Sequence, residues 1–266
     1  MVIPNIGLEV PSWSRLSRPS FSRSFQARPE NPTGEIAAAI VRKAIIAYGG
    51  ESNIVSFKNA TFEYQVETPG DPTSKPIQVK TYFKDATLFR SEVSGGGSDA
   101  VTILNSNKGW VKVGDTILSL TKKNLDPLKT AMISQLRPDL LLMSFQKFRY
   151  AGKGEEEGRQ LELVDISGFV GGEYIRGRLS FDSKTNLIHR YEFEIERELP
   201  GGKGIVEGEE KYVRYLEAEG LKVPAEITSR EGRKVWRISM NRVDFSTELS
   251  PGLFEDPTPA TLPGPK

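Results

Sequence analysis

The stretch from Thr81 to Leu120, TYFKDATLFRSEVSGGGSDAVTILNSNKGWVKVGDTILSL, confines the chain to short antiparallel strands joined by tight turns. Ile77, Val79, Thr81 and Phe83 share one parity against Gln78, Lys80, Tyr82 and Lys84. After Asp85, Phe89, Ser91 and Val93 oppose Arg90 and Glu92. A period of two sends successive side chains to opposite faces of a strand, so one face is apolar and the other wetted. Such a sheet must cover its apolar side or curl around it, and a curled sheet can keep a cavity for an apolar ligand.

The same alternation runs along the rest of the chain. Phe62, Tyr64 and Val66 alternate with Glu63, Gln65 and Glu67. SGGGSD joins the strand of Phe89 to that of Val101 and Ile103, NSNKG leads into WVKV, and GD leads into TILSL. Gly, Asn and Asp supply the left-handed backbone that hairpin turns require. From Leu161 the strands resume with Ile175, Leu179 and Phe181 on one face. After DSKTN, Leu187, His189, Tyr191, Phe193 and Ile195 stand opposite Arg190, Glu192, Glu194 and Glu196. GGKG turns into a strand around Val213 and Tyr215, KVPAEIT forms another, and Trp236, Ile238 and Met240 alternate with Arg237, Ser239 and Asn241. Val243 and Phe245 break that parity, which predicts a bulge near Asn241 or Arg242.

Helical spacing appears twice. Thr33 caps a helix through EIAAAIVRKAIIAY, with Ile36, Ile40, Ala44 and Ile45 as its apolar stripe and Gly49 and Gly50 as its stop. Between Leu125 and Phe148, Leu128, Met132, Ile133 and Leu136 recur at helical intervals, and Pro138 opens a short helix at LLLMSF. About ten or eleven strands in one meander, broken once by helices, predict a mainly β, α+β fold. Its frame is a single curved antiparallel sheet or incomplete barrel covered by helices. Residues 33–257 read as one domain. Residues 1–32, rich in Arg, Ser and Pro and lacking an apolar run of signal-peptide length, read as a disordered leader, and residues 258–266 as a flexible Pro-rich tail.

Composition narrows the function. Lys and Arg number 36 against 35 Asp and Glu, interspersed along the strands, so there is no electrostatic footprint for nucleic acid. With no cysteine, disulfides, thiol nucleophiles, thiolate metal sites and an acylated N-terminal cysteine are excluded. His189 is the one histidine, and its parity with Leu187 and Tyr191 makes it a hydrogen-bonded core or rim residue. Glu192, Glu194 and Glu196 stand about 6–7 Å apart, as a glycosidase could use, but they belong to the wetted face. Ser144 and Lys147 form an S-x-x-K without its supporting motifs. The EEEG run at 155–158 lacks a calcium-loop pattern and reads as a hairpin turn, and SGGGSD and GGKG lack the Gly-Lys-Ser/Thr end of a phosphate loop. No catalytic residue, cofactor or metal is expected. Phe62, Tyr64, Phe83, Phe89 and Trp110, with Tyr191, Phe193 and Trp236, fall at strand positions suited to lining a common interior. Periodicity leaves open whether that interior is packed or hollow.

The opening helix with AYGGESNIVSFKNATFEY, the pair YFKDATLFRSEV, the segment VTILNSNKGWVKV, the mid-chain helices, FDSKTNLIHRYEFE and the closing VDFSTELSPGLFEDP follow one another in a telling order. In this order and spacing the chain resembles the LolA-like periplasmic lipoprotein-carrier family, with its LolB and RseB relatives, from about Ile36 to Pro257. The resemblance implies an unclosed antiparallel β-barrel under helices, with a hydrophobic cavity for lipid or the acyl chains of a lipoprotein. It further implies that Arg90 is a lid latch, matching the strand arginine that holds the helical lid in lipoprotein carriers. Parity alone equally allows a solvent-facing arginine, because Phe89 lies on the side of Val93. The expectation is a soluble, monomeric, non-enzymatic periplasmic carrier in envelope lipoprotein sorting, exchanging its lipid or acylated lipoprotein with a membrane-associated donor or acceptor. The alternatives are a regulatory or assembly module of the same fold binding a protein partner at a strand edge, and an esterase or glycosidase with an unrecognised site.

Overall fold

The computed structural model describes residues 33–70, 75–85, 87–95, 99–199 and 202–257. The expected leader, 1–32, and tail, 258–266, lie outside the described residues. Two helices open the chain, α1 (Thr33–Tyr48) and α2 (Glu51–Ser56). Six strands follow: β1 (Asn59–Glu67), β2 (Ile77–Lys84), β3 (Leu88–Ser94), β4 (Ala100–Asn105), β5 (Lys108–Val113) and β6 (Thr116–Ser119). After α3 (Lys122–Leu136) and α4 (Pro138–Ser144) come β7 (Phe145–Glu156), β8 (Arg159–Val170), β9 (Glu173–Asp182), β10 (Ile188–Leu199), β11 (Gly202–Ala218), β12 (Leu221–Glu231) and β13 (Lys234–Asp244). A 3-10 turn at Pro251–Phe254 closes the described chain.

All thirteen strands form one antiparallel sheet in the order β6-β5-β4-β3-β2-β1-β13-β12-β11-β10-β9-β8-β7. It is two meanders joined where β1 pairs with β13, and it does not close into a barrel. The free edges, β6 and β7, are consecutive strands. The segment between them is α3 and α4, so the chain crosses the open side of the curved sheet as helix. α3 touches β5 near one edge, β8 and β9 near the other, and β12 between them, while α1 packs along β7. Among the described residues, no helix is long and apolar enough to cross a membrane.

The fold is the mainly β, helix-covered open sheet that alternation predicts, with thirteen strands in place of ten or eleven. β7 is the clearest addition. Its sequence FQKFRYAGKGEE continues the helical-looking LLLMSF, and burial alternates along it only from Tyr150 onward, where the more buried positions include Gly152, Gly154 and Glu156. The bulge expected near Asn241 or Arg242 is present: Glu63 pairs with Arg242 and Tyr64 with Met240, leaving Asn241 as the extra residue.

On α1 the buried face is Ala37, Val41, Ala44 and Tyr48, and Ile36 is exposed. Counting isoleucines rotates the stripe because it ignores the hydroxyl of Tyr48. That group donates to Tyr215 on β11 at 2.7 Å, and Tyr215 in turn donates to the carbonyl of Ile188 at 2.8 Å. A buried phenol needs such a partner, and small Ala37 and Ala44 let the helix approach closely enough to supply it.

The β8–β9 turn fixes α3. Thr130 Oγ1 donates to the carbonyl of Val170 at 2.8 Å, and Gly171, at φ 62°, lies so close that a Cβ would overlap the Thr130 backbone. Gly171→Ala therefore combines a left-handed backbone with a steric clash. It should destabilise the protein by about 1–3 kcal/mol in urea denaturation. A change within about 0.5 kcal/mol would show that α3 is not seated on this turn.

Candidate functional site

The register assembles the apolar side of the sheet as cross-strand rows. Ala60, Phe83, Phe89 and Leu104 form one row, Phe62, Thr81, Ser91 and Thr102 the next, and Tyr64, Val79, Val93 and Ala100 a third. Through β13 the same face continues as Met240 and Ile238 into Ile227 on β12. It then reaches the row Trp236, Ser229, Glu210 and Tyr191. Phe62, Tyr64, Phe83, Phe89 and Tyr191 are at most 1% exposed, and Phe193 and Trp236 pack half-buried against the same core. Phe83 meets Phe89 edge-on at 5.0 Å, and Tyr191 meets Phe193 at 5.0 Å and Phe145 at 6.3 Å. Seven of the eight aromatics expected to line one interior thus share one face.

Trp110 lies on the other face. The two-residue turn after Asn105 sets Asn105 opposite Lys108, so Gly109 faces Leu104 on the concave side and Trp110 faces Ile103 and, beyond it, Arg90. Gly109 leaves room there for α3, since a Cβ would meet Leu125 at 2.9 Å. The outer side of β3 and β4 is covered by the C-terminal segment. Arg90 Nη1 donates to the carbonyl of Leu253 at 3.3 Å and Nε to Glu92 at 2.7 Å, and Asn105 Nδ2 donates to the carbonyl of Phe254 at 3.1 Å. Phe254 is fully buried.

Polar groups thread the concave face. Tyr64 lies 3.2 Å from Thr81 Oγ1, which donates to Ser91 Oγ at 3.2 Å, and burial pushes the Tyr64 phenol up to about 12. Glu210 points into the seam under α3. Ser134 Oγ donates to its Oε1 at 2.9 Å; Tyr212 Oη lies 2.9 Å from its Oε2 and 2.8 Å from the carbonyl of Ser134. A single phenolic proton serves only one of those two acceptors, so a protonated Glu210 that donates to Tyr212 satisfies the whole cluster. Burial acts the same way, pushing Glu210 up to about 7 against the opposing bonds from Ser134 and Tyr212.

Other candidate groups stand elsewhere. Glu192 and Glu194 face Arg178 and Arg176 across β9, and Glu196 pairs with Lys203 at 2.9 Å, all on the outer face. Ser144 Oγ donates to the carbonyl of Leu140 within α4 at 2.8 Å.

No family model matches the sequence, and no curated protein matches it. Solved structures share the architecture. A domain from Vibrio parahaemolyticus named for outer membrane lipoprotein sorting aligns with a TM-score of 0.55 at 9% identity, over 83% of this chain and 97% of that one. A LolA superfamily protein from Nitrosomonas europaea gives 0.52 at 10% identity, over 83% and 97%. A DUF1329 family protein from Desulfovibrio piger gives 0.54 at 13%, over 82% and 97%. The fold is LolA-like.

The helical cover of this LolA-like sheet is tied down by Arg137, a residue the alternation pattern does not pick out. Arg137 joins α3 to α4 and is 1% exposed. Its Nε and Nη2 grip Asp139 at 3.0 and 2.7 Å, Nη2 also donates to the carbonyl of Ile54 on α2 at 3.3 Å, and the guanidinium lies 5.5 Å from the rings of Phe83 and Phe245. At the junction of α3 and α4, one side chain therefore bonds α2 and α4 and stacks on the rings of Phe83 and Phe245. The sequence signal is the charged pair in LRPDLLL, an arginine and an aspartate two apart inside an apolar run.

Removing one member of a buried ion pair strands the other, so Arg137→Leu should cost about 3–5 kcal/mol. The double variant Arg137→Leu/Asp139→Leu should recover much of that in denaturant titrations; equal loss in both would deny the pairing. For Glu210, the unfolded carboxyl titrates near 4.5 and the folded one near 7. Its contribution to stability is full below about pH 4.5 and is lost as pH rises towards 7, about 3 kcal/mol in all. Urea titrations at pH 5 and 8 should show this fall in the wild type and a flatter response in Glu210→Gln. An identical fall in both would place the titration elsewhere.

Proposed function

We propose that the protein is a non-enzymatic carrier that holds a lipid or the acyl chains of a lipoprotein against its concave face, in lipoprotein sorting in the periplasm. The observation that carries this reading is the covered, unclosed sheet. A buried aromatic face is roofed by the one segment that bridges the two free edges, and nothing in the strand pairing has to break for that roof to move. Phe62, Tyr64, Phe83, Phe89, Tyr191, Phe193 and Trp236 would then meet the ligand. The Vibrio domain, named for outer membrane lipoprotein sorting and sharing this fold, supports the cargo class and the compartment.

In the arrangement described, side chains of α1, α3 and α4 belong to the same core as the aromatic face. Loading therefore means replacing helix contacts with acyl contacts. Burying an acyl chain gains about 0.8 kcal/mol per methylene, so some fifteen methylenes supply on the order of 12 kcal/mol. That gain is set against the apolar helix contacts given up and the hydrogen bonds of the seam, worth about 0.5–1.5 kcal/mol each in net terms. Arg137 is the latch in this reading, while Arg90 clamps the C-terminal turn to the outer face.

Native mass spectrometry of protein purified from its host, with lipid extraction and uptake of a fluorescent fatty acid, tests the proposal. Bound lipid and saturable uptake are expected. Arg137→Lys, which keeps the charge but loses the forked grip, should speed release several-fold, whereas Arg90→Leu should leave it near wild type. The reverse order would move the latch to Arg90. Absence of both lipid and uptake would reject the carrier and favour the partner-binding module of the same fold.

A further inference from the structure

His189 sits on a bulge, where β10 shifts register against β9 between Ile188 and Arg190. The residue is 3% exposed, yet neither ring nitrogen has a hydrogen-bond partner among the described residues. The hydrogen-bonded core or rim histidine expected from sequence is thus buried but unbonded. Leaving a buried polar atom unmatched costs about 1–3 kcal/mol, and an orphaned imidazole calls for a partner from outside the chain, a water or an ion. Burial holds the ring below the usual imidazole range; Glu156 opposes this, and Arg159, Lys211 and Arg190 reinforce it. A neutral imidazole presents a lone pair on one nitrogen.

Facing the ring is the tip of the β7–β8 hairpin. Glu156 Oε2 lies 3.5 Å from His189 Nε2. The other oxygen, Oε1, is engaged by Lys211 at 3.0 Å and by Arg190, and Lys211 also reaches Glu157 Oε1 at 2.5 Å. The two cations hold the carboxylates in place and leave Glu156 Oε2 turned to the histidine. One ligand atom from each of Glu156, Glu157 and His189 lies within 4.8 Å of the others. In a tetrahedral zinc site, bonds of about 2.0–2.2 Å put neighbouring ligand atoms roughly 3.3–3.5 Å apart. The spacing of Nε2 and Oε2 is that of two ligands on one ion. His189 also borders a cavity of about 180 Å³ with Arg159, Asp182, Thr185, Tyr212 and Tyr215, which gives room for a water as a further ligand.

We propose that His189, Glu156 and Glu157 form a binding site for a divalent transition ion of the zinc class, pinning the β7–β8 hairpin tip to β10. One imidazole nitrogen and two carboxylate oxygens suit zinc, whereas calcium takes six to eight oxygens and magnesium an octahedron of them. Lys211 and Arg190 offset the carboxylate charge, so the site favours an ion that bonds strongly to imidazole over one held by charge alone.

His189 is the sole imidazole of the chain, so a two-dimensional 1H–15N spectrum of the tag-free, 15N-labelled full chain reads the site without overlap. Zinc chloride should shift one ring nitrogen, while magnesium and calcium leave both in place. Calorimetry should give one-to-one zinc binding, weakened about tenfold or more in Glu156→Gln and Glu157→Gln and lost in His189→Gln. The Glu157 side chain is 63% exposed, so its variant tests the site without disturbing the core. Ring nitrogens unmoved at millimolar zinc, or wild-type affinity in the His189→Gln and Glu157→Gln proteins, would overturn the site.

Discussion

The pairing of β1 with β13 determines where every other element can go. It joins two meanders in the middle of the sheet, so the chain enters at the centre, runs out to one edge at β6 and returns from the opposite edge at β7. Closing the barrel would require β6 to pair with β7, but β6 has four residues and β7 twelve. Most of β7 would remain unpaired, and an exposed edge of that length is a template for wrong association. α1 packs along β7, and α3 and α4 span the gap. Helices over an open mouth are thus the consequence of a chain that must travel between mismatched edges across an apolar face.

What holds those helices is unusual for a hydrophobic seam. A greasy cover would be held by area alone and could slide; here the fixed points are Thr130 on the β8–β9 turn, Ser134 and Tyr212 around Glu210, Tyr48 on Tyr215, and Arg137 between α2, α4 and the rings of Phe83 and Phe245. Each is directional, so together they set one orientation of the cover. They also divide it into separable attachments. α1 is held through Tyr48, whereas α3 and α4 depend on Thr130, Ser134 and Arg137.

Alternation made the strands and the shared aromatic face legible, because period two survives any tertiary context that buries one side. Where parity broke, it even placed a bulge near Asn241 or Arg242, and Asn241 is the extra residue. The same signal failed where a residue's face depends on something parity does not encode. Trp110 went to the wrong side because its face is set by the length of the turn before it. The stripe of α1 was rotated because a hydroxyl bond, and not apolar bulk, chose Tyr48. β7 merged with a helix because the more buried positions of its second half include Gly152, Gly154 and Glu156, which carry no apolar signal. Arg137 and Glu210 do not stand out from ordinary charges, since sequence gives no measure of their desolvation.

The buried polar groups also bear on how firmly the cover is shut. Thr102 Oγ1, Tyr191 Oη and Arg137 Nη1 are buried without partners among the described residues, and Glu210 occupies a place in the seam where a well-packed apolar residue would be at least as stable. Each unmatched group costs about 1–3 kcal/mol, against a total stability of about 5–15 kcal/mol for a typical domain. All these groups are buried in the arrangement described, and in the carrier reading a parted cover would return them to water, so their cost would fall on the shut state. The sheet, whose strand pairing is untouched by that motion, keeps its full stability. In the carrier reading, the effect is to narrow the gap between shut and parted forms without weakening the frame, and a narrow gap is what would allow modest ligand affinity to shift the population.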